Sequence, residues 1–200
     1  MKIIRKIVIA LIIVVLGALY SYGTWPQELY DTNVDSTTYA NIGAMTADRT
    51  FEQPFQCKYS GLNRIDVQLS NLGQKCTGTY TWELIDVESN EAAAQGSIDP
   101  GLIDVSAKYE LPFGTIEDSA DREYIFRITA EEVTSEYGMT IMVTEGATQV
   151  NEASVDGTGI DQAGVITLEN KRFNVETFIV FEGLMLYLVF FTKFLLQLFK

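Results

Sequence analysis

The chain has 200 residues, of which 14 are basic and 27 acidic, and it contains no histidine and two cysteines. The absence of histidine excludes a Ser-His-Asp triad and removes the commonest metal ligand, and two thiols cannot form a structural zinc site. Segment 24–176 holds 9 basic and 26 acidic residues, a formal charge of −17. This charge repels phosphate backbones and makes nucleic acid a poor partner.

The chain begins with a cationic, then apolar segment. Residues 7–20 carry no charge and follow three basic residues. A secretory signal begins in the same way, but residues 17–22 offer no small-x-small cleavage site. We therefore expect residues 1–25 to comprise a short cytoplasmic N-terminus and an uncleaved transmembrane helix, oriented by the positive-inside rule.

Residues 26–49 have weak periodicity, which predicts a juxtamembrane stalk or a first-strand extension. After residue 50, strand signals dominate. Residues 65–69 and 78–86 both alternate apolar and polar side chains, and turn-forming residues between them predict a hairpin. Trp82 is predicted to pack in the core, because alternation places it on an apolar face; the alternative is an exposed platform for a sugar ring.

Further short strands follow at spacings of about 10–20 residues, with polar loops between them. They are predicted at 108–113, 123–128, 139–143 and 164–168. The pattern favours an all-β domain over residues 50–176, an antiparallel jelly-roll-like sandwich outside the cytoplasm.

The C-terminal segment, 177–200, contains a second apolar run, residues 178–199. At about 1.5 Å per residue it can cross a hydrocarbon core of about 30 Å, which returns the C-terminus to the cytoplasm. Lys193 can reach the inner interface by snorkelling. Glu182 lies further inside, either at the outer headgroups or against a partner helix, because embedded carboxylates usually face protein. We therefore predict Glu182 as a partner contact in the membrane.

The sequence shows no catalytic constellation. Ser106 and Lys108 have the spacing of one face of a strand, but Lys108 is predicted to be exposed and protonated. Residues 155–161 predict a glycine-rich turn between strands, with a structural Ca²⁺ site as the alternative. Otherwise no cofactor or metal is expected, and we predict that the chain is not an enzyme.

Two further features bear on the outer domain. Cys57 and Cys76 either form a disulfide, which an oxidising compartment would allow, or remain separate thiols. Tyr59, in the polar loop 58–61, is the candidate ligand-binding side chain, because sugar rings stack on exposed aromatic rings.

The order of apolar motifs between two spans carries a resemblance. After the first span come Gln53-x-Phe55, Leu62-x-x-Ile65-x-Val67, Gly78-x-Tyr80-x-x-x-Leu84-x-Asp86 and Tyr124-x-Phe126-x-Ile128. This arrangement resembles extracytoplasmic β-sandwich domains between membrane spans of bacterial envelope proteins, including polytopic glycosyltransferase-like proteins. The resemblance implies a carbohydrate-binding-module-like fold and a setting in cell-envelope glycan assembly, and it implies no catalytic residue.

Three functions are consistent with these features. The leading one is a non-enzymatic, membrane-anchored accessory subunit that assists a polytopic partner, a glycosyltransferase or a transporter, in assembling envelope polysaccharide or glycolipid. The second is a free-standing surface module that binds a glycan or another ligand. The third, an envelope glycan hydrolase, lacks any carboxylate pair that the sequence singles out.

Overall fold

The computed structural model describes residues 2–133, 138–145 and 152–199. The chain divides into two compact units. Met1–Trp25 and Lys171–Lys200 form the first, which we call the helical unit. Pro26–Asn170 forms the second, which we call the β domain.

The helical unit contains α1 (Lys2–Ser21) and α2 (Val175–Leu198). Their mean hydropathies are 2.5 and 2.0, and both helices are long and apolar enough to cross a membrane. α2 begins three residues before the apolar run, because the Asn174 side chain caps it by accepting a hydrogen bond from Thr177 N (3.0 Å).

The strands between the helices are numbered in chain order. They are β1 (Tyr22–Glu28), β2 (Ala40–Asn41), β3 (Thr50–Gln56), β4 (Leu62–Val67), β5 (Leu69–Ser70), β6 (Thr79–Asp86), β7 (Glu91–Ile98), β8 (Tyr109–Ile116), β9 (Glu123–Glu131), β10 (Thr140–Thr144), β11 (Ser154–Val155), β12 (Thr158–Gly159), β13 (Ala163–Gly164) and β14 (Ile166–Phe173). Two short 3₁₀ helices, Ser36–Thr38 and Pro100–Leu102, lie in the connections.

Within the described part of the chain, the strands form three sheets. One has six strands in the order β12-β11-β3-β9-β6-β7, and a second has the order β1-β14-β4-β8. The third has the order β13-β10-β2, with β5 also paired to β10. The pairings around β3, β4, β6, β9 and β10 are antiparallel. The all-β class with an apolar helix at each end is therefore confirmed.

Both large sheets contribute to one hydrophobic core. The six-stranded sheet supplies Phe51, Tyr80 and Phe126, and β4 and β14 supply Ile65 and Leu168, all fully buried. Along β3, β6 and β9 the buried residues alternate with exposed or half-buried ones, which is the pattern of a sheet with one face on the core, whereas β4 and β14 also bury neighbouring polar residues.

Trp82 lies in this core. It is 4% exposed, and its ring centroid lies 5.9 Å from that of Phe113 and 6.4 Å from that of Phe126. Its predicted core position is confirmed, which leaves this indole unavailable as a platform for a sugar.

The predicted hairpin between the first two strand runs is wrong. β4 pairs with β8 and β14, whereas β6 pairs with β7 and β9. The hairpin partner of β6 is β7, whose sequence Glu-Ala-Ala-Ala-Gln-Gly-Ser-Ile lacks apolar alternation because seven of its eight residues are half-buried or exposed. A strand without a buried face carries no period-2 signal.

Residues 26–49 belong to the β domain. Leu29 and Met45 lie in its core, and Met45 N donates to Met139 O (2.7 Å). A β-carbon at position 138 would lie 2.6 Å from Met45 O, so only glycine fits there. The segment predicted as a stalk or a first-strand extension thus helps to close the core.

Both cysteines are buried free thiols. Cys57 Sγ lies 3.1 Å from Tyr59 O, to which it can donate. Burial raises the pKa of both thiols. Of the two alternatives, the structure has separate thiols and no bridge between them.

Asp86 fixes the turn that joins β6 to β7. Its carboxylate accepts hydrogen bonds from Glu88 N and Ser89 N (both 3.0 Å) and pairs with Arg122 (2.8 Å). The Ser89 bond lowers the pKa of Asp86, and the Arg122 charge lowers it further. The stabilisation is therefore present above the unfolded-state pKa and is lost as pH falls through the folded-state pKa.

We expect Asp86→Ala to destabilise the β domain by about 1–2 kcal/mol at neutral pH, since it leaves two turn amides without their acceptor. Urea unfolding at several pH values should show the difference from the wild type shrinking below about pH 4. A difference that stays constant into strong acid would show that the charge of Asp86 contributes nothing.

Candidate functional site

Within the helical unit, α1 packs on α2 through small residues. Gly17 and Ser21 are the buried positions of α1, and Ser21 Oγ donates back to Gly17 O (2.7 Å). A β-carbon at position 17 would meet the Glu182 carboxylate and lie 2.9 Å from Phe181 Cδ1. Small residues four apart allow two apolar helices to approach this closely.

Glu182 therefore contacts α1 of its own chain. The residue is half-buried, and its Oε1 is fully buried without a hydrogen-bond partner among the described residues. An acceptor in an apolar setting is costly unless a donor meets it. The predicted contact of Glu182 with a partner helix would use the side of the carboxylate that faces away from Gly17, and it stays a prediction.

Tyr59 lies in the turn between β3 and β4. Its carbonyl oxygen accepts from Ser119 Oγ (3.0 Å), so the backbone of the turn is fixed. The ring is half-buried, and Lys58 Nζ lies over it at 5.4 Å from the centroid. A sugar that stacks on this face of the ring has to displace the lysine, and the predicted ligand role of Tyr59 stays a prediction.

Lys108 and Ser106 bind different partners. Lys108 Nζ, expected to be exposed, is half-buried and pairs with Glu28 (3.2 Å), Tyr30 Oη (3.0 Å) and Thr167 Oγ1. The Ser106 hydroxyl donates to Asp104 (2.7 Å). Because Lys108 is held by a carboxylate 80 positions away in the sequence, it stabilises the fold rather than acting on Ser106.

Arg64 holds three carboxylates beside this lysine. It contacts Asp66 (2.8 Å), Glu110 (3.3 Å) and Glu169 (3.7 Å). Burial is the largest influence on Asp66 and Glu169, and it raises the pKa of both carboxyls despite the arginine. This charged cluster is internally paired, which is typical of a structural network.

The predicted glycine-rich turn at 155–161 is confirmed as the hairpin β11–β12. Asp156 and Gly157 form its two-residue turn with φ of 54° and 74°. The Asp156 carboxylate accepts from Thr50 N (2.9 Å) and pairs with Arg49 (3.2 Å). Among the described residues no group of three or more His, Cys, Asp or Glu side chains could hold a metal ion, and the Ca²⁺ alternative stays a prediction.

One of the cavities in the β domain has the size of a small-ligand site and an uncharged lining. Its volume is about 330 Å³, and its lining comes from several distant segments, namely Ser36, Tyr39, Gln68, Leu69, Ser70, Val105, Ser106 and Met142. Sequence reasoning missed it, because no local pattern links these segments. Of the lining residues, Ser106 belongs to a motif with its own signal in the sequence, the Ser106-x-Lys108 spacing.

Comparisons with known proteins do not assign a function to these sites. No protein-family model matches the sequence, and no curated protein matches it.

Proposed function

We propose that the chain is a non-enzymatic, two-pass membrane subunit that assists a polytopic partner in assembling cell-envelope polysaccharide or glycolipid. Both termini lie in the cytoplasm, and the β domain, a jelly-roll-like sandwich, lies outside. Three basic residues before the first apolar run support this orientation. The hydropathy of α1 and α2 supports two spans.

The environment of Glu182 is the observation that supports a partner in the membrane. In a lipid environment its carboxyl group has no water, and Oε1 has no donor within the described part of the chain. Polar groups at such positions are usually met by another helix. Because Oε1 is itself fully buried, a donor from another chain would meet the carboxyl group on the side that faces away from α1, where the side chain is only half-buried.

The face of α2 that carries Glu182 also carries Leu186, one helical turn further on, at 58% exposure. Val180 lies on nearly the opposite face, about 160° away, at 70% exposure. These two exposed positions form a matched pair for locating the partner.

Photo-cross-linking tests the proposal in intact membranes. A benzophenone amino acid at position 186 is expected to capture a polytopic membrane protein, whereas the same residue at position 180 captures it weakly or not at all. Equal capture from both positions, or capture only of further copies of this chain from position 186, would contradict a partner on the Glu182 face.

The second candidate is a free-standing surface module that binds a ligand through the β domain alone. The 330 Å³ cavity favours it, since it lies near the lower end of the range of small-molecule sites. If no partner accompanies the chain in membranes, this candidate takes precedence.

A further inference from the structure

The walls of the cavity are held in place by hydrogen bonds. Gln68 Nε2 donates to Val105 O (3.1 Å) and Ala107 O (3.3 Å), which fixes the loop before β8 against the end of β4. On the other side, Asp35 caps the short helix Ser36–Thr38 through Thr37 N (2.9 Å). These hydrogen bonds fix the loop 105–107 and the short helix 36–38 on two sides of the cavity.

The lining offers polar groups that are not fully used. Both donors of Gln68 Nε2 bind the loop, so its Oε1 remains an acceptor, and Ser36 Oγ makes no hydrogen bond with the described residues. Ser70 Oγ accepts from Leu72 N (3.1 Å) and keeps its proton for another acceptor. Leu69 and Met142 supply apolar surface beside these groups.

The lining also contains no charged side chain. Residues 26–170 carry 25 acidic and 7 basic residues, so an uncharged concave surface stands apart from the rest of the β domain. Hydroxyl and amide groups next to apolar patches match a pyranose ring, which has hydroxyls at its edge and C–H groups on its faces. An anionic sugar would meet the field of the surrounding carboxylates.

We infer that this cavity binds one neutral hexopyranose unit. The cavity is separate from Tyr59. A sugar ligand would make the proposed role in glycan assembly more specific, and the inference rests on that proposed role. Pockets of about 300 Å³ suit ligands of this size. For a ligand with about a dozen non-hydrogen atoms, we expect millimolar affinity.

Saturation-transfer NMR on the full-length protein in lipid nanodiscs tests the inference. The probes are methyl glucopyranoside, methyl galactopyranoside and N-acetylglucosamine, with glucuronate as the charged comparison. Ser106→Trp fills the cavity from one wall, and Ser36→Trp fills it from the other. Ser97→Trp, at an exposed position of β7 outside the lining, is the matched control.

At least one neutral sugar is expected to bind, with glucuronate about tenfold weaker or worse. Both filling variants should reduce the affinity at least about tenfold, because they occlude the volume, while Ser97→Trp binds as the wild type does. The inference is overturned if no neutral sugar binds at about 50 mM, if glucuronate binds equally well, or if both filling variants bind normally. Ser106→Trp should still capture the partner from position 186, so loss of sugar binding is separable from loss of the subunit's role.

Discussion

Phe126→Ala is expected to destabilise the β domain by about 3–5 kcal/mol, the range for removing a fully buried aromatic ring. Phe126 is 0% exposed, lies on β9 between β3 and β6, and contacts Trp82. Its removal leaves a cavity at the centre of the six-stranded sheet. A domain of this size is stable by about 5–15 kcal/mol, so the variant should unfold at much lower urea.

Phe113→Ala is the matched control. Phe113 also contacts Trp82, at 5.9 Å between ring centroids, but it is half-buried and lies on β8, at the end of its sheet's strand order. We expect its loss to cost less than half as much, because less apolar surface leaves the core. Trp82 fluorescence during urea unfolding measures the stability of both variants. Equal losses in the free energy of unfolding for the two variants would contradict a core between the two large sheets.

Glu182→Leu is expected to weaken partner association about tenfold, since polar contacts between helices in lipid are worth about 1–2 kcal/mol. Leucine fits an apolar helix but can neither donate nor accept a hydrogen bond. The amount of partner recovered with the tagged chain from mild detergent gives the result. Full recovery with the leucine variant would mean that the intramembrane carboxyl is not what holds the complex.

Two further variants serve as controls for the Glu182→Leu result. Glu182→Gln keeps the hydrogen-bonding capacity and should retain most of the partner. Val180→Leu changes an exposed position on nearly the opposite face of α2 and should have no effect. A loss of partner in the Val180 variant would indicate general damage to the helical unit rather than a lost contact.

The sequence predicted those parts of the fold that leave a local pattern. Alternation located β6 and β9, because each has one buried face, and Trp82 could be placed in the core for the same reason. β7 was missed, since its small and exposed residues lack a buried face. The hairpin partner of β6 was consequently assigned to the wrong strand.

The sites depend on contacts between residues that are distant in sequence. The sequence marked Glu182 as unusual in an apolar helix but did not predict that Gly17 would lie against it. Likewise the sequence around Lys108 predicts an exposed lysine, because the Glu28 that pairs with it lies far away in the chain. The cavity joins Ser36, Gln68 and Met142, and no spacing rule connects positions so far apart in the chain.

Affinity purification of the full-length protein from membranes in mild detergent, with mass spectrometry of what remains bound, tests the accessory-subunit role most directly. We expect a polytopic membrane protein, a glycosyltransferase or a transporter, in stoichiometric amount. Recovery of the chain alone, as a monomer or a homo-oligomer, would contradict that role and would leave the β domain as a free-standing binding module.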